Sequence, residues 1–282
     1  MVIIVRYAEI GLKGNNRAEF EKQLCKNIVV CLTENDISYA RIQRFSGRIL
    51  LDVETDEAQH AIVELRRVFG IASVSYGISA GSSVDIALSL ALPLMKKGSF
   101  RVSCQRVDKT FPMSSLDFCK ALGEKIVQAI GNAVNLTSPD TTISCEIINK
   151  QIYVLKETAQ GAGGLPVHSS GKVAVLIRKK EDALAAILML KRGCTIVVYT
   201  DLGTTKIPTS ETQDISWIQR WSYGCQITFF PEHLFATDSR VQGFVVPDTI
   251  DNLKDYDIQG LVLRPLAGLT SEEVKIAVQK YS

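Results

Sequence analysis

The hydrophobic and polar positions divide the first 80 residues into short strand patterns and longer helix patterns. Runs with a period of two predict strands, and apolar residues spaced three and four apart predict helices. The resulting order of strand, helix, two strands, helix and strand predicts a ferredoxin-like domain over residues 1–80. The predicted elements are strands at 2–6, 38–44, 47–53 and 72–77, and helices at 16–32 and 56–68.

The same patterns predict a small α/β domain over residues 81–164. Phe100, Val102 and Cys104 alternate with polar residues, which predicts a half-buried strand. Ser114 or Ser115 is a suitable cap for the helix that follows. Other predicted elements are a helix at 85–97 and a hairpin at 142–156 that turns at Asn149 and Lys150. The helix that Ser114 or Ser115 caps is predicted at 115–130, with one apolar side formed by Leu116, Cys119, Leu122, Ile126 and Ile130.

A different pattern begins near residue 165. A continuous apolar run at 172–177 predicts a buried strand of a parallel sheet, and it is followed by a predicted helix at 181–192 and a strand at 194–200. Strand, turn, helix and strand in this order are half of a doubly wound fold. We therefore predict a doubly wound domain over 165–282, and an α/β and α+β multidomain protein as a whole.

Candidate chemistry is concentrated at the end of the strand near residue 100. Arg106 and Lys109 follow that strand, the Phe111-Pro112 pair forces an extended turn, and a helix begins directly afterwards. Two cations and an aromatic ring beside a helix amino terminus are suited to phosphate and to an unstacked base. Arg101 on the same strand is a further candidate. A solvated strand end is the alternative interpretation.

Composition and charge limit the class of protein only loosely. The chain has 282 residues, of which 46% are hydrophobic and 22% charged, with a formal net charge of +2. Seven Lys and Arg against three Asp and Glu lie between Lys96 and Lys125, a local excess that suits RNA phosphates but also occurs on solvated helices. No apolar run approaches the ~18 residues of a membrane span, and no signal peptide is visible, so we expect a cytoplasmic protein.

The cysteines indicate neither a metal site nor a disulfide framework. There are seven of them, and no C-x-x-C pair occurs among them. Free cysteine is usually buried, so we expect buried thiols in a reducing compartment and predict no metal site. They are Cys25, Cys31, Cys104, Cys119, Cys145, Cys194 and Cys225.

Four separated segments, in the same order and nearly end to end, resemble the tRNA 4-thiouridine synthetase family. The resemblance implies a ferredoxin-like domain, a THUMP domain that holds the tRNA acceptor end, and a PP-loop-like ATP-pyrophosphatase domain. It assigns Arg106 and Lys109 to the basic THUMP motif, and it adds two groups of RNA-binding candidates, Lys13 with Arg17 and Gly164-Leu165-Pro166. The segments are VRYAEIGLKGNNR (5–17), SFRVSCQRVDKTFP (99–112), GLPVHSSGKVAVL (164–176) and VLRPLAGLTSEEV (262–274).

The third domain departs from this family where the family's chemistry lies. The family's phosphate-binding turn is SGGxDS, and the matching positions, 178–183, have the sequence RKKEDA. Lysines replace the glycines, and only Asp182 is retained, so Arg178, Lys179, Lys180 and Asp182 are a degenerate nucleotide site. The stretch aligned with the family's relay cysteine, 214–223, contains no cysteine. We therefore predict no catalytic residue.

These observations lead to a principal hypothesis and two alternatives. The principal one is a tRNA-binding THUMP protein that holds the acceptor end without its own ATP-dependent catalysis, and for which no cofactor is expected. One alternative is a divergent, active tRNA sulfurtransferase that uses ATP to adenylate uridine. The other is a structural adaptor for a modification complex. A homodimer and a separately encoded catalytic subunit are both compatible with the resemblance, and no membrane partner is expected.

Overall fold

The computed structural model describes residues 1–200 and 216–281. The described chain forms two compact units, each with a sheet of its own. The first unit is built from Met1–Arg6, Asp36–Val63 and Ser73–Gln160, and the second from Tyr7–Asn35, Glu64–Ala72 and the residues from Gly161 onward. Both units thus include parts of the predicted ferredoxin-like segment. The domain limits 1–80, 81–164 and 165–282 stay predictions.

The first unit contains a sheet of seven strands. They are β1 Val2–Arg6, β2 Tyr39–Phe45, β3 Arg48–Val53, β4 Ser73–Ser79, β5 Phe100–Arg106, β6 Thr141–Ile148 and β7 Gln151–Gln160. Their order in the sheet is β2-β3-β1-β4-β7-β6-β5, and every neighbouring pair is antiparallel except β5 and β6. The first four strands have the predicted ferredoxin-like arrangement, and pairing of β4 with β7 continues the sheet into the remaining strands.

The parallel pairing of β5 with β6 brings two loops to one edge of this sheet. Arg106 at the end of β5 lies opposite Ile147 of β6. Because the two strands run in the same direction, both carboxyl ends lie at that edge. Residues 107–114 leave β5 there, and the Asn149-Lys150 turn leaves β6. We call residues 107–114 together with this turn the strand-end surface.

Three helices of the amino-terminal half lie close to the predicted positions, and the one predicted over 115–130 begins and ends at the predicted residues. The helix predicted over 85–97 ends earlier, at Ala91, because Pro93 follows in a short 3-10 helix. The helices are α1 Arg17–Glu34, α2 Ala58–Leu65, α3 Val84–Ala91 and α4 Ser115–Ile130. Helix α4 begins where the Ser114 side chain accepts a hydrogen bond from the backbone N–H of Asp117, and it ends at Gly131, whose φ is 72°. Among residues 1–200 and 216–281, none of the helices combines the length and apolarity that a membrane crossing requires.

The buried face of α4 differs in part from the predicted one. Phe118, Leu122 and Ile126 are its fully buried residues, whereas Leu116 and Ile130 are 64% and 44% exposed. Leu116 lies about 200° around the helix from Phe118, so both cannot face the same core. Full burial of an aliphatic or aromatic side chain stabilises the fold by about 1.5–3 kcal/mol, and Phe118 has this advantage. The prediction chose the wrong apolar row for the first turn.

The second unit contains a five-stranded parallel sheet, as predicted for a doubly wound domain. Its strands are β8 Lys172–Leu176, β9 Thr195–Thr200, β10 Thr228–Pro231, β11 Gly243–Val245 and β12 Val262–Leu263, in the order β10-β9-β8-β11-β12. All neighbouring pairs are parallel. Helix α5 Ala183–Lys191 connects β8 to β9, and α6 Ser271–Val278 follows β12.

Both faces of this sheet are buried. Val173 and Val175 of β8 belong to one hydrophobic core, and Ala174 and Leu176 belong to another. Successive side chains of a strand point to opposite faces, so a strand covered on both sides has a continuous apolar sequence. The chain continues from β8 to β9 and β10 on one side, and β11 and β12 lie on the other side of β8. The sheet therefore has a topological switch point between β8 and β11.

Candidate nucleic-acid interface and nucleotide site

Arg106 fixes the loop that follows β5. Its Nη1 donates to the carbonyl oxygen of Met113 at 2.9 Å and to that of Phe111 at 3.4 Å. These bonds join the end of the strand to the residues just before α4. Arg106 was predicted to contact phosphate, and that contact stays a prediction. The role visible in the structure is to hold residues 107–114 in one conformation.

Asp108 ties this loop to the hairpin turn after β6. Its Oδ1 accepts hydrogen bonds from the backbone N–H and hydroxyl of Thr110, at 2.8 and 2.7 Å, and its Oδ2 accepts from the backbone N–H of Lys150 at 2.9 Å. The bonds from Thr110, and then that from Lys150, hold the pKa of the Asp108 carboxyl below its usual value. Lys109 lies between these anchored residues and is exposed. The loop thus presents the Lys109 side chain on a fixed backbone.

Phe111 does not have the exposure that base stacking requires. Its side chain is 4% exposed and belongs to the hydrophobic core that also contains Phe100 and Phe118. The expectation that its ring receives a base therefore needs correction. Burial of a phenylalanine ring is strongly favourable, and the Phe111-Pro112 turn directs this ring inward. Phe111 anchors the loop to this hydrophobic core, and the polar residues around it form the accessible surface.

Arg101 lies away from the strand-end surface. It is five residues before Arg106 on β5, which corresponds to about 16 Å along a strand. Its guanidinium donates to the hydroxyl of Thr142 at 3.1 Å and to the carbonyl oxygen of Leu136 at 3.4 Å. The structure therefore does not bring Arg101 together with Lys109.

Lys13 and Arg17 belong to the second unit, where each is involved in a local interaction. The Lys13 ammonium lies 5.0 Å from the centre of the Phe20 ring. The Arg17 guanidinium donates to Glu21 at 2.7 Å and to the Tyr7 hydroxyl at 2.9 Å. Arg17 is thus paired with a carboxylate one helical turn away, which reduces the charge that it offers to a phosphate. Their contact with RNA stays a prediction.

The segment Gly164-Leu165-Pro166 is packed into the second unit. All three residues are buried. Gly164 has φ of 76°, and a Cβ atom there would lie 2.2 Å from the carbonyl oxygen of Lys191, which accepts from the backbone N–H of Leu165 at 2.9 Å. The glycine therefore permits a close approach to the end of α5. The expected contact with nucleic acid needs correction, because intramolecular packing covers these residues.

Asp182 occupies the loop where the family's turn would bind phosphate. Its Oδ2 accepts hydrogen bonds from the backbone N–H groups of Arg178 at 2.9 Å and Lys179 at 3.2 Å. The carboxyl group is buried, and burial raises its pKa although these hydrogen bonds oppose the shift. Lys179 has extended backbone with φ of −145°. The amides that could surround an anion are thus directed at a carboxylate of the chain itself.

A cavity of about 310 Å³ lies beside this loop, at the switch point of the parallel sheet. Most polar groups around it already have partners. Arg178 Nε donates to Glu232 at 3.0 Å. The buried carboxylate of Asp248 accepts from the Tyr256 hydroxyl at 2.7 Å and from Arg264 at 3.2 Å. We call this space the switch-point cavity; it is lined by Arg178, Lys179, Asp182, Pro247, Asp248, Asn252, Lys254 and Tyr256.

Six of the seven thiols have the pKa shift of buried groups and not that of activated nucleophiles. Nucleophilic cysteines have a lowered pKa, whereas burial raises the pKa of six of these thiols. Cys225 is the cysteine nearest the stretch 214–223, and its half-buried thiol lies 3.9 Å from the carbonyl oxygen of Ile196. Residues 214 and 215 of that stretch lie outside the described residues. Burial raises the pKa of Cys31 and Cys104 to about 12, and it also raises the pKa of Cys119, Cys145, Cys194 and Cys225.

Sequence reasoning missed Lys150 as a member of the strand-end surface. The hairpin turn was predicted, but its contact with the loop that follows β5 was not. Only the parallel register of β5 and β6 brings Lys150 beside Asp108, the residue that precedes Lys109. The available signal was a lysine in a two-residue turn, where Asn-Gly would be the ordinary sequence.

Two family models match the amino-terminal half of the chain. The ThiI ferredoxin-like domain matches residues 2–75, and the THUMP domain matches residues 85–155. The second match includes β5, α4 and the whole strand-end surface. The chain is therefore a THUMP-domain protein that also carries a ThiI ferredoxin-like domain.

Curated relatives extend this assignment. The chain is 35% identical over 202 residues to a probable tRNA sulfurtransferase of Brevibacillus brevis, a match that covers 69% of this chain and 50% of the relative. It is 36% identical over 210 residues to one of Methanocaldococcus jannaschii, covering 70% and 55%. The chain belongs to the THUMP-containing tRNA sulfurtransferase family, as the resemblance indicated. It spans about half the length of the curated relatives that it matches.

Two solved structures share the fold over nearly the whole chain. A crystallised protein of Pyrococcus horikoshii Ot3 is 28% identical with a TM-score of 0.83, and the match covers 99% of this chain and 98% of the other. A 4-thiouridine synthetase, crystallised with RNA and bound ATP, has a TM-score of 0.77 and 19% identity, with coverage of 100% and 84%. At that identity the second likeness establishes only the fold.

Proposed function

We propose that this chain binds tRNA through the strand-end surface and holds the acceptor end. The observation that carries the proposal is the exposed Lys109 side chain on a loop whose backbone is fixed by Arg106 and Asp108. A cation on an ordered backbone loses less conformational entropy when it binds, and each phosphate that it neutralises releases counterions. The match to the THUMP family over the same residues supports this assignment.

We further propose that this chain does not adenylate tRNA by itself. A phosphate-binding turn of this type works through backbone N–H groups that point at the ligand. Here the Asp182 carboxylate accepts hydrogen bonds from the backbone N–H groups of Arg178 and Lys179. Its negative charge opposes the binding of a second anion in the same place. A separately encoded partner would then supply the chemical step, and this chain would need no cofactor.

A salt-dependent binding titration tests the first proposal. Fluorescent tRNA is compared with the same tRNA lacking its 3′-terminal CCA, from about 50 to 200 mM salt, the range over which phosphate contacts weaken most visibly. We expect the intact tRNA to bind with a steep salt dependence and the shortened one to bind markedly less tightly. Equal affinity for the two would contradict recognition of the acceptor end.

The switch-point cavity favours a second candidate function, a divergent and active tRNA sulfurtransferase. A cavity outside the carboxyl ends of the strands, where the strand order reverses, is the usual ligand position of this fold class. Lys179 and Lys254 line it and could attract a nucleotide by charge. This function requires ATP, whereas the principal proposal does not.

Thermal unfolding with Mg-ATP separates the two functions. A ligand present at 100 times its dissociation constant stabilises the folded state by about 2.7 kcal/mol. We expect no rise in the unfolding temperature from millimolar Mg-ATP. A rise that disappears in Lys179→Ala, accompanied by ATP-dependent thiolation of tRNA, would establish the divergent enzyme and contradict the proposed lack of catalysis.

A further inference from the structure

The turn between β6 and β7 holds a lysine in a backbone conformation that lysine rarely adopts. Asn149 and Lys150 have φ of 50° and 60°. A two-residue hairpin loop with both residues left-handed is a type I′ turn, for which Asn followed by Gly is favoured. Asn tolerates this conformation, whereas most side chains there are disfavoured by about 1–2 kcal/mol. Glycine would therefore suit the turn better than Lys150 does.

The same turn is joined to the loop that carries Lys109. Oδ2 of Asp108 accepts the backbone N–H of Lys150 at 2.9 Å, while Oδ1 holds Thr110 through two hydrogen bonds. The backbone N–H of Val107 also donates to the carbonyl oxygen of Ile147 at 2.9 Å. These bonds fix the two lysine-bearing segments side by side, so the positions of Lys109 and Lys150 are coupled through one carboxylate.

The charges around this pair are suited to an anion from outside the chain. Lys109 and Lys150 are both exposed, and within residues 1–200 and 216–281 neither ammonium group forms a salt bridge. Asp108 joins the two segments, and its two oxygens already accept three hydrogen bonds, although its charge also attracts that of Lys150. The ammonium groups are therefore the groups of this pair with unused capacity for charge-assisted bonds.

We propose that Lys109 and Lys150 form a paired-lysine site for the RNA phosphate backbone, with Asp108 as the residue that positions both. The site deepens the tRNA-binding function proposed above and depends on it. Two cations on separate fixed segments can neutralise separate phosphates, whereas a single flexible lysine neutralises one. The unfavourable backbone of Lys150 is explained by the use of its side chain, since residues in strained conformations occur preferentially at functional sites.

The substitution Lys150→Gly separates this explanation from a structural one. Glycine adopts the left-handed conformation without steric cost, so we expect the unfolding temperature to stay unchanged or rise. Loss of one phosphate contact lowers affinity for tRNA by about fivefold at 0.15 M salt and reduces the salt slope by about 0.7–0.9. Lys150→Arg, which keeps the charge, should bind like the wild-type chain. The measurements are tRNA titrations at several salt concentrations and thermal unfolding of each variant.

His168→Gly is the matched control for this substitution. His168 is an exposed residue of the second unit with φ of 72°, so it is also a left-handed residue other than glycine. The substitution relieves the same type of backbone strain without removing a cation from the strand-end surface. We expect His168→Gly to leave affinity for tRNA and its salt slope unchanged. A loss of affinity in both variants would attribute the Lys150→Gly result to the backbone change and overturn the proposal.

Asp108→Ala tests the positioning role, because two explanations predict opposite signs. If Asp108 were only a negative charge near the RNA, its removal would increase affinity for tRNA. If it positions Lys109 and Lys150, its removal releases both segments and decreases affinity, although the chain becomes more positive. We expect a decrease. An increase in affinity would contradict the positioning role.

The outcomes also distinguish this site from the proposed function on which it depends. If wild-type protein fails to bind tRNA, the tRNA-binding function itself is wrong. If wild-type protein binds and Lys109→Ala weakens binding while Lys150→Gly does not, the function stands and the paired site is overturned. If the two substitutions each reduce the salt slope and their effects on affinity multiply, the two lysines contact different phosphates, as the paired site requires.

Discussion

Two loops of the described residues each connect a strand to a helix and carry several cations, and they use their polar groups differently. In the first unit β5 leads through Arg106 and Lys109 into α4, and in the second unit β8 leads through Arg178–Lys180 into α5. At α4, Ser114 caps the helix, and the loop carboxylate of Asp108 accepts the backbone N–H of Lys150. Arg106 is bonded to carbonyl oxygens of the loop, whereas Lys109 remains exposed.

At α5, a carboxylate occupies the position that an anionic ligand would need. Asp182 accepts the loop amides, and Arg178 pairs with Glu232. Both loops have a similar number of cations, so charge alone would rank them as equal candidates for phosphate. The hydrogen-bond acceptors within a chain thus decide whether its donors remain available to a ligand. Substitutions in each loop test this difference.

The largest effect is expected from Asp182→Ala. The substitution leaves the amides of Arg178 and Lys179 without their acceptor at the start of a buried helix, so we expect the free energy of unfolding to fall by about 2 kcal/mol. Urea denaturation measures this change. Glu181→Ala, in the same turn, is the control and should have a much smaller effect. Equal losses in both variants would show that the hydrogen bonds of Asp182 do not determine stability here.

A smaller effect, on binding instead of stability, separates the two basic loops. Lys109→Ala should weaken tRNA binding about fivefold at 0.15 M salt and reduce the salt slope by about 0.7–0.9. Lys179→Ala removes an equivalent cation from the other loop and should leave tRNA binding unchanged. Titrations with the same tRNA measure both. A larger loss in Lys179→Ala than in Lys109→Ala would move the RNA interface to the second unit.

The pH dependence of stability isolates the protonation of Asp182. Burial raises the pKa of this carboxyl in the folded state, so its contribution to stability is fully present below the unfolded pKa, about 3.9, and is lost as pH rises through the folded pKa. The unfolding free energy of the wild-type protein minus that of Asp182→Asn should therefore decrease as pH rises from about 4. Urea denaturation at a series of pH values measures it. An increase with pH would show that the hydrogen bonds of the ionised form outweigh burial.

Local pattern was sufficient for most element limits but not for every face. Helix α4 begins and ends at the predicted residues because Ser114 and Gly131 are cap residues whose effect is local. The prediction of the buried face of α4 was wrong at Leu116, since the position of the sheet decides which row of a helix is buried. A helix with apolar residues on more than one side does not carry that information in its own sequence.

The candidate sites show the same division between local and long-range information. Lys109 was predicted from the residues around it, but Lys150 becomes its neighbour only through the pairing of β5 with β6. Likewise, Gly164 has the sequence context of a flexible linker, whereas its close approach to Lys191 is a tertiary contact. Resemblance to a family identifies positions, and the structure decides whether a side chain at such a position is accessible.

The smallest expected effect concerns His168, an exposed residue of the second unit. Its φ of 72° favours glycine, because glycine adopts the left-handed conformation without the steric penalty of a side chain. His168→Gly should increase the free energy of unfolding by about 0.5–1 kcal/mol, the penalty being offset in part by the greater entropy of glycine in the unfolded chain. The urea midpoint measures this gain. A loss of stability would show that the imidazole makes a stabilising contact that outweighs the backbone strain, and His168 would then differ in kind from Lys150.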